Sequence, residues 1–210
     1  MATVLPFSEN ILSEVNKYLS NGKIIAFPTE TVYALSCDAT NKTAMDKLYQ
    51  IKQRSYKQVY AILVADVKEM GKYAETDERA HSLAEKFSPG PLTYVLKAKK
   101  NIGICSALIK DGKIGVRIPD HKIAQKILQN YSKPLIATSV NFAKQSSALC
   151  VEEISAKIKE LIDLIIDGGK CTLGIESTIV DLSEKKKITV LRKGYISQND
   201  IAQCLDSSAS

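Results

Sequence analysis

The sequence predicts an α/β fold, a mixed parallel and antiparallel sheet with helices on its faces. Three observations predict it. Short apolar runs recur along the chain, separated by segments whose apolar residues repeat at helical spacing, the alternation that builds helix-covered sheets. Near the C-terminus two β-rich stretches follow one another with no helical segment between them, which calls for antiparallel pairing. The 210 residues, 45% of them hydrophobic, suit one domain over 1–210 and are few for two independently stable ones.

The elements follow in order. A helix is expected over 9–19, where Ile11, Leu12, Val15 and Leu19 share one face and Asn21-Gly22 stops it. A buried strand over 24–27 ends at Pro28 and runs straight into Thr29, Glu30 and Thr31. Ala44, Leu48 and Ile51 mark a helix over 43–52, so Lys52 and Arg54 lie at its exit, ahead of a strand over 61–64. A helix over 76–87 is broken by Ser88-Pro89-Gly90-Pro91 before a strand over 92–96. Next come a strand over 115–118 ending at Pro119-Asp120, a helix over 122–128, and a strand over 135–138 that delivers Ser139 and Asn141. A helix over 152–162, a strand over 164–166, a Gly168-Gly169 turn, strands over 177–182 and 188–191 and a helix from Gln198 complete the chain.

Composition narrows the function classes. No uninterrupted apolar run reaches about eighteen residues, and the N-terminus lacks a signal-peptide pattern, so a cytoplasmic protein with no membrane segment is expected. The five cysteines form no C-x-x-C pair, which reads as reduced, structural thiols rather than a zinc site or disulfide framework. A net charge of +6 suits phosphate or RNA ligands but also many plain solvated surfaces.

Several polar clusters fall at the ends of the expected strands, where α/β sheets place their ligands. Lys52 and Arg54 fit a cationic helix C-terminus, and equally a triphosphate site that needs a point charge beside a planar fork of donors. Ser139 and Asn141 fit an ordinary loop start, and equally hydrogen bonding to phosphate or ribose oxygens. Neither G-x-x-x-x-G-K-[ST] nor G-x-G-x-x-G is present to compete for a nucleotide. Arg117 is the sharper signal: flanked by Val116 and Ile118 in an apolar strand, it needs an anionic partner, with Glu30, Glu176, Asp120 or a ligand carboxylate as candidates. Glu176-Ser177-Thr178 repeats the carboxylate-and-hydroxyl theme, and Arg192 follows the apolar run at 188–191. His121, after Pro119-Asp120, reads as a surface polar residue at a helix start rather than a general base. Tyr33 and Cys37 read as packing residues.

In order and spacing, seven blocks together resemble the YrdC-like family of threonylcarbamoyl-AMP synthases over nearly the full length. They are the run from Gly22 to Tyr33, Lys52-Gln53-Arg54, Pro89-Gly90-Pro91-Leu92-Thr93, the run from Val116 to His121, Ser139-Val140-Asn141, the run from Gly174 to Asp181, and Leu191-Arg192-Lys193-Gly194. The resemblance implies an open, twisted mixed sheet with a large, basic, concave cavity. It also implies an enzyme, a nucleotidyltransferase that joins ATP with Mg2+, L-threonine and bicarbonate or CO2 into threonylcarbamoyl-AMP for N6-threonylcarbamoyladenosine formation on tRNA. Carried over, Lys52, Arg54, Ser139, Asn141, Ser147 and Arg192 are ATP contacts, with Lys52 and Arg54 catalytic, and Thr31, Arg117 and Ser177 are threonine contacts. Implied partners are a downstream threonylcarbamoyl-transfer complex acting on tRNA and, weakly, tRNA itself.

The chain differs from the family at Ala34 and Val140, at Ser55 and Val59-Tyr60 in the loop after Lys52-x-Arg54, and at Ala143-Lys144. Long members add a C-terminal domain, for which this chain is too short. The alternatives are a non-catalytic RNA-binding module using the same cavity and a carbamoyl-transfer domain of a larger maturation protein. The first lacks an aromatic stacking platform and any RNP-like motif.

Overall fold

The computed structural model of the protein describes residues 1–142, 145–185 and 187–207; the Ala143-Lys144 difference lies outside them. Ten strands form one mixed sheet: β1 (Thr3–Pro6), β2 (Ile25–Pro28), β3 (Tyr33–Asp38), β4 (Ala61–Leu63), β5 (Leu92–Lys97), β6 (Lys113–Arg117), β7 (Leu135–Ser139), β8 (Leu164–Asp167), β9 (Thr178–Asp181) and β10 (Thr189–Arg192). Their order across the sheet is β1-β8-β2-β3-β7-β4-β6-β5-β9-β10. Four pairs are parallel (β1 with β8, β8 with β2, β4 with β6, β5 with β9) and the others are antiparallel.

Seven α-helices flank it: α1 (Leu12–Ser20), α2 (Lys42–Lys52), α3 (Val67–Tyr73), α4 (Glu78–Phe87), α5 (Lys122–Tyr131), α6 (Ala156–Leu161) and α7 (Gln198–Ser207). Side-chain caps start several of them: Asn41 accepts from the Ala44 amide, Asp66 from Glu69, Asp77 from Ala80 and Ser155 from Ile158.

The helices are shared unequally between the two faces. Apolar residues of α2, α3, α4, α6 and α7 pack with Ile62, Tyr94, Val116, Ile136 and Val180 on one face, covering it along its length. On the other, only α1 and α5 pack, against Ile25, Phe27, Ala34, Leu63, Leu135, Leu164 and Ile166. Strands covered on both faces read as continuous apolar runs, which is why 24–27 was legible. The rest of that second face, over β4, β6, β5, β9 and β10, has no helix across it and carries Arg117, Thr93, Ile179 and Arg192 in a single cross-strand row with Leu63.

Three elements were not expected from the sequence. β1 is an edge strand with little burial and no alternation to betray it. β3 is buried throughout, and its small and polar residues Ala34, Ser36 and Asp38 hide an apolar run. α3 has only seven residues. The helix expected over 152–162 is divided into a 3-10 turn at Val151–Glu153 and α6. Among the described residues no disulfide joins any of the five cysteines. Among the described residues no helix is long and apolar enough to cross a membrane.

The backbone after β10 closes tightly on the start of β9. A Cβ at Gly194 would stand 2.3 Å from the Glu176 carbonyl oxygen and 2.5 Å from the Ser177 carbonyl carbon and the Thr178 amide, all backbone atoms with nowhere to go. Gly194→Ala is therefore expected to cost about 2–3 kcal/mol as an overpacked contact. That corresponds to a fall of roughly 5–10 °C in melting temperature for a chain this size, and a thermal melt unchanged within 1 °C would contradict it.

Candidate functional site

The uncovered half of the sheet is the floor of a cavity. Ala34, Ala137, Ser139, Ala61, Leu63, Thr93, Arg117, Ile179 and Arg192 supply the floor from successive strands, and loops bring Thr31, Arg54, Tyr60, Glu176 and Ser177 to the walls. Of the nine sequence-predicted site residues, Thr31, Arg54, Ser139, Arg117, Ser177 and Arg192 line this one cavity. Lys52, Asn141 and Ser147 do not; they reach it through hydrogen bonds.

Arg117 finds its anion in Glu30. Its Nη2 lies 2.6 Å from Glu30 Oε1 and 2.9 Å from Thr31 Oγ1, and its Nε donates to the Gly90 carbonyl at 3.3 Å. The two side chains are only 11% and 8% exposed, so the pair is buried. Thr31 Oγ1 is also 2.8 Å from Thr29 Oγ1. Nη1 of Arg117 has no hydrogen-bond partner among the described residues, and the residue lines the cavity, so one edge of the guanidinium is open to a ligand carboxylate. Ser177 Oγ sits 2.8 Å from Thr93 Oγ1.

Lys52 requires a correction. The sequence suggested a flexible point charge for phosphate, but Lys52 is fully buried. Its Nζ donates to the Ser139 carbonyl at 2.6 Å, the Asn141 carbonyl at 2.5 Å and Asn141 Oδ1 at 2.7 Å. An ammonium has three donors, and all three are used. Lys52 holds the Ser139-x-Asn141 turn in place, and Ser139 Oγ donates to the same Asn141 Oδ1 at 2.8 Å. Burial, reinforced by nearby Arg54, pulls the ammonium down to about 7, against the pull of Glu176.

Arg54, two residues on, is placed differently. Gln53 adopts a left-handed conformation with φ 50° at the end of α2, turning the chain so that Lys52 points inward while Arg54 reaches the cavity. Among the described residues Arg54 forms no salt bridge; its guanidinium lies 5.6 Å from the centre of the Tyr60 ring. The loop that differs from the family is ordered by aromatic packing, Tyr49 meeting Tyr56 at 4.5 Å and Tyr60 at 4.6 Å between ring centres. Tyr56 donates to Asp46 Oδ1 at 2.6 Å.

Arg192 is held from two sides. Nη2 donates to the Ser177 carbonyl at 2.8 Å and to Ser177 Oγ at 3.0 Å, Nε to the same carbonyl at 3.1 Å, and Nη1 to Glu176 Oε2 at 2.5 Å. Ser147 Oγ donates to the other carboxylate oxygen, Oε1, at 3.1 Å. Glu176 thus joins two groups expected at the nucleotide, a contact that no spacing in the sequence signals. The cavity lining sets three arginines against this one carboxylate. Among the described residues no cluster of three or more potential metal ligands occurs.

His121 is not on the surface as expected. It is half-buried at the N-terminus of α5, its Nδ1 buried without a hydrogen-bond partner, and burial lowers its pKa. Cys37 and Tyr33 are core residues, with the Tyr33 hydroxyl donating to the Gly169 carbonyl at 3.0 Å.

With this geometry in place, comparison with known proteins defines the class. The family model of the Sua5, YciO and YrdC proteins, described as "Telomere recombination", matches residues 17–194, and the chain belongs to that family. Among its relatives, a putative threonylcarbamoyl-AMP synthase of Methanocaldococcus jannaschii is 37% identical, covering 93% of this chain and 91% of the relative. The threonylcarbamoyl-AMP synthase of Pyrococcus abyssi is 32% identical over 90% of this chain, which spans only 55% of that longer protein. The crystal structure of P. abyssi Sua5 complexed with L-threonine superposes with a TM-score of 0.90 at 29% identity, covering 98% of this chain and 61% of that one.

Two predictions follow from the buried cations. Glu30→Ala leaves Arg117 without its anion and should destabilise the protein by about 3 kcal/mol, the low end for a broken buried pair because Arg117 borders the cavity; a urea titration showing less than about 1 kcal/mol would contradict it. Lys52 has its folded pKa near 7, below the unfolded value of 10.5. Across that interval the unfolded chain holds a proton the folded protein releases, so this residue's contribution to stability rises with pH and is lost as pH falls towards 7. The difference in unfolding free energy between the parent protein and Lys52→Met should therefore grow from pH 7 to pH 10, and a pH-independent difference would refute the assignment.

Proposed function

We propose that this protein is a threonylcarbamoyl-AMP synthase, a nucleotidyltransferase that uses ATP, L-threonine and bicarbonate or CO2. The observation that carries the reading is one cavity lined both by an amino-acid set, Thr31, Arg117 and Ser177, and by a nucleotide set, Arg54, Ser139 and Arg192. The threonine complex of the P. abyssi neighbour supports the first half and the names of the relatives support the whole.

In this reading the threonine carboxylate pairs with Arg117 Nη1, and Thr31 and Ser177 offer hydroxyls to the rest of the amino acid. The amine adds to CO2, losing a proton and giving a carbamate. A carbamate oxygen then forms a bond to the α-phosphorus of ATP as the bond to the pyrophosphate oxygen breaks. ATP enters as its Mg2+ complex, and the ion neutralises charge on the leaving phosphates. The protein orients the two substrates and stabilises that charge through Arg54 and Arg192, with Ser139, Asn141 and Ser147 as hydrogen-bonding contacts. Lys52 acts one step removed, by holding Ser139 and Asn141. The product serves a downstream transfer complex that modifies tRNA. A non-catalytic RNA-binding module is not favoured, since it leaves the buried amino-acid subsite without a purpose.

Purified protein supplied with ATP, Mg2+, threonine and bicarbonate should release pyrophosphate only when all are present. Arg54→Ala should lower turnover by roughly a hundredfold, as for a lost preorganised donor. Pyrophosphate release independent of threonine, or full activity in Arg54→Ala, would overturn the proposal.

A further inference from the structure

The groups assigned to the nucleotide already hold an anion, and it belongs to the protein. Both oxygens of Glu176 are engaged, Oε1 by the Ser147 hydroxyl at 3.1 Å and Oε2 by Arg192 Nη1 at 2.5 Å. Two oxygens on one centre, one facing a hydroxyl and the other a guanidinium, is the pattern a phosphate would present to the same pair. We propose that Glu176 is an internal stand-in for phosphate: it occupies part of the triphosphate subsite in the empty protein, and bound nucleotide displaces it. The inference rests on the reading of Ser147 and Arg192 as nucleotide contacts.

The surroundings fit displacement. Arg192 does not depend on Glu176 for its orientation, because Nε and Nη2 remain anchored on the Ser177 carbonyl and hydroxyl. Swinging the carboxylate away bares Nη1 and leaves the guanidinium in place. The Glu176 backbone is pinned by the Tyr195 amide on its carbonyl oxygen, while its side chain is 37% exposed and has room to move. A carboxylate left in position would stand against the incoming phosphate as a like charge.

The consequence is selectivity. A small anion that reaches only Arg192 and Ser147 gains no more than Glu176 already supplies, whereas a triphosphate also engages Arg54, which no internal carboxylate holds. Competition from a tethered group thus rejects the weaker ligand more than the stronger one.

Isothermal titration of ATP, pyrophosphate and orthophosphate at fixed Mg2+ into the parent protein and Glu176→Gln tests this. Glutamine keeps the shape and removes the charge. The expected result is ATP binding about tenfold tighter in Glu176→Gln, a modest factor because the displaced pair is partly exposed and screened. Orthophosphate affinity should rise at least as much, narrowing the preference for the triphosphate. Glu176→Ala should move in the same direction with a thermal melt close to that of the parent. If Glu176 serves instead to hold Arg192, or to bind Mg2+, both variants bind ATP more weakly, and that result or unchanged affinity overturns the inference while leaving the nucleotide site standing. Absence of ATP binding in the parent and both variants would instead remove the nucleotide reading itself, and the inference with it.

Discussion

The buried pair of Arg117 and Glu30 is the constraint on which the site depends. Arg117 is the last residue of β6, its backbone carbonyl accepting from the Val64 amide beside β4 and its register partner on β5 being Thr93. Its side chain crosses to the loop between β2 and β3 and to the Gly90 carbonyl in the turn before β5. Burying a guanidinium and a carboxylate is tolerable only when both are hydrogen-bonded as well as paired. Here the pair ties together three segments that are distant in sequence, while the Thr29-Glu30-Thr31 turn is also held by Thr29 Oγ1, which donates to the Val32 carbonyl and accepts from the Val32 amide.

That lock matters because the sheet is only half covered on this face. α1 and α5 fill the side over β8, β2, β3 and β7 with aliphatic packing. Beyond β4 the same face turns polar, and the row of Leu63, Arg117, Thr93, Ile179 and Arg192 runs across five strands in register. Spacing between neighbouring strands is about 4.8 Å, so the two arginines sit three strands apart on a rigid floor, a separation of the order of an amino acid joined to a phosphate. Loops alone would place them less reproducibly.

The sequence announced some of this and concealed the rest. Arg117 was legible because a charge between Val116 and Ile118 violates the apolar pattern, and such violations occur where function or pairing compensates them. The strand over 24–27 was legible because both of its faces are covered. β3 was not, since Ser36 and Asp38 are buried through hydrogen bonds, Ser36 Oγ to the Ile136 carbonyl and Asp38 Oδ2 from the Tyr131 hydroxyl, that no local pattern encodes. Lys52-x-Arg54 stood out in the sequence, yet the different placement of its two cations was hidden. It is set by Gln53 turning left-handed and by acceptors 87 and 89 positions away. Glu176 was visible only as one possible partner for Arg117, and the fold gave it to Arg192 instead.

The cations in and beside the cavity are therefore best distinguished by what already holds them. Arg117 is matched by Glu30 inside the protein, Arg192 by a partly exposed Glu176, and Lys52 by carbonyl and amide oxygens, while Arg54, without a salt bridge among the described residues, lies against the Tyr60 ring. A lysine satisfied by neutral acceptors builds shape; an arginine with no carboxylate partner among the described residues supplies field. In this chain shape and field are divided between residues only two positions apart.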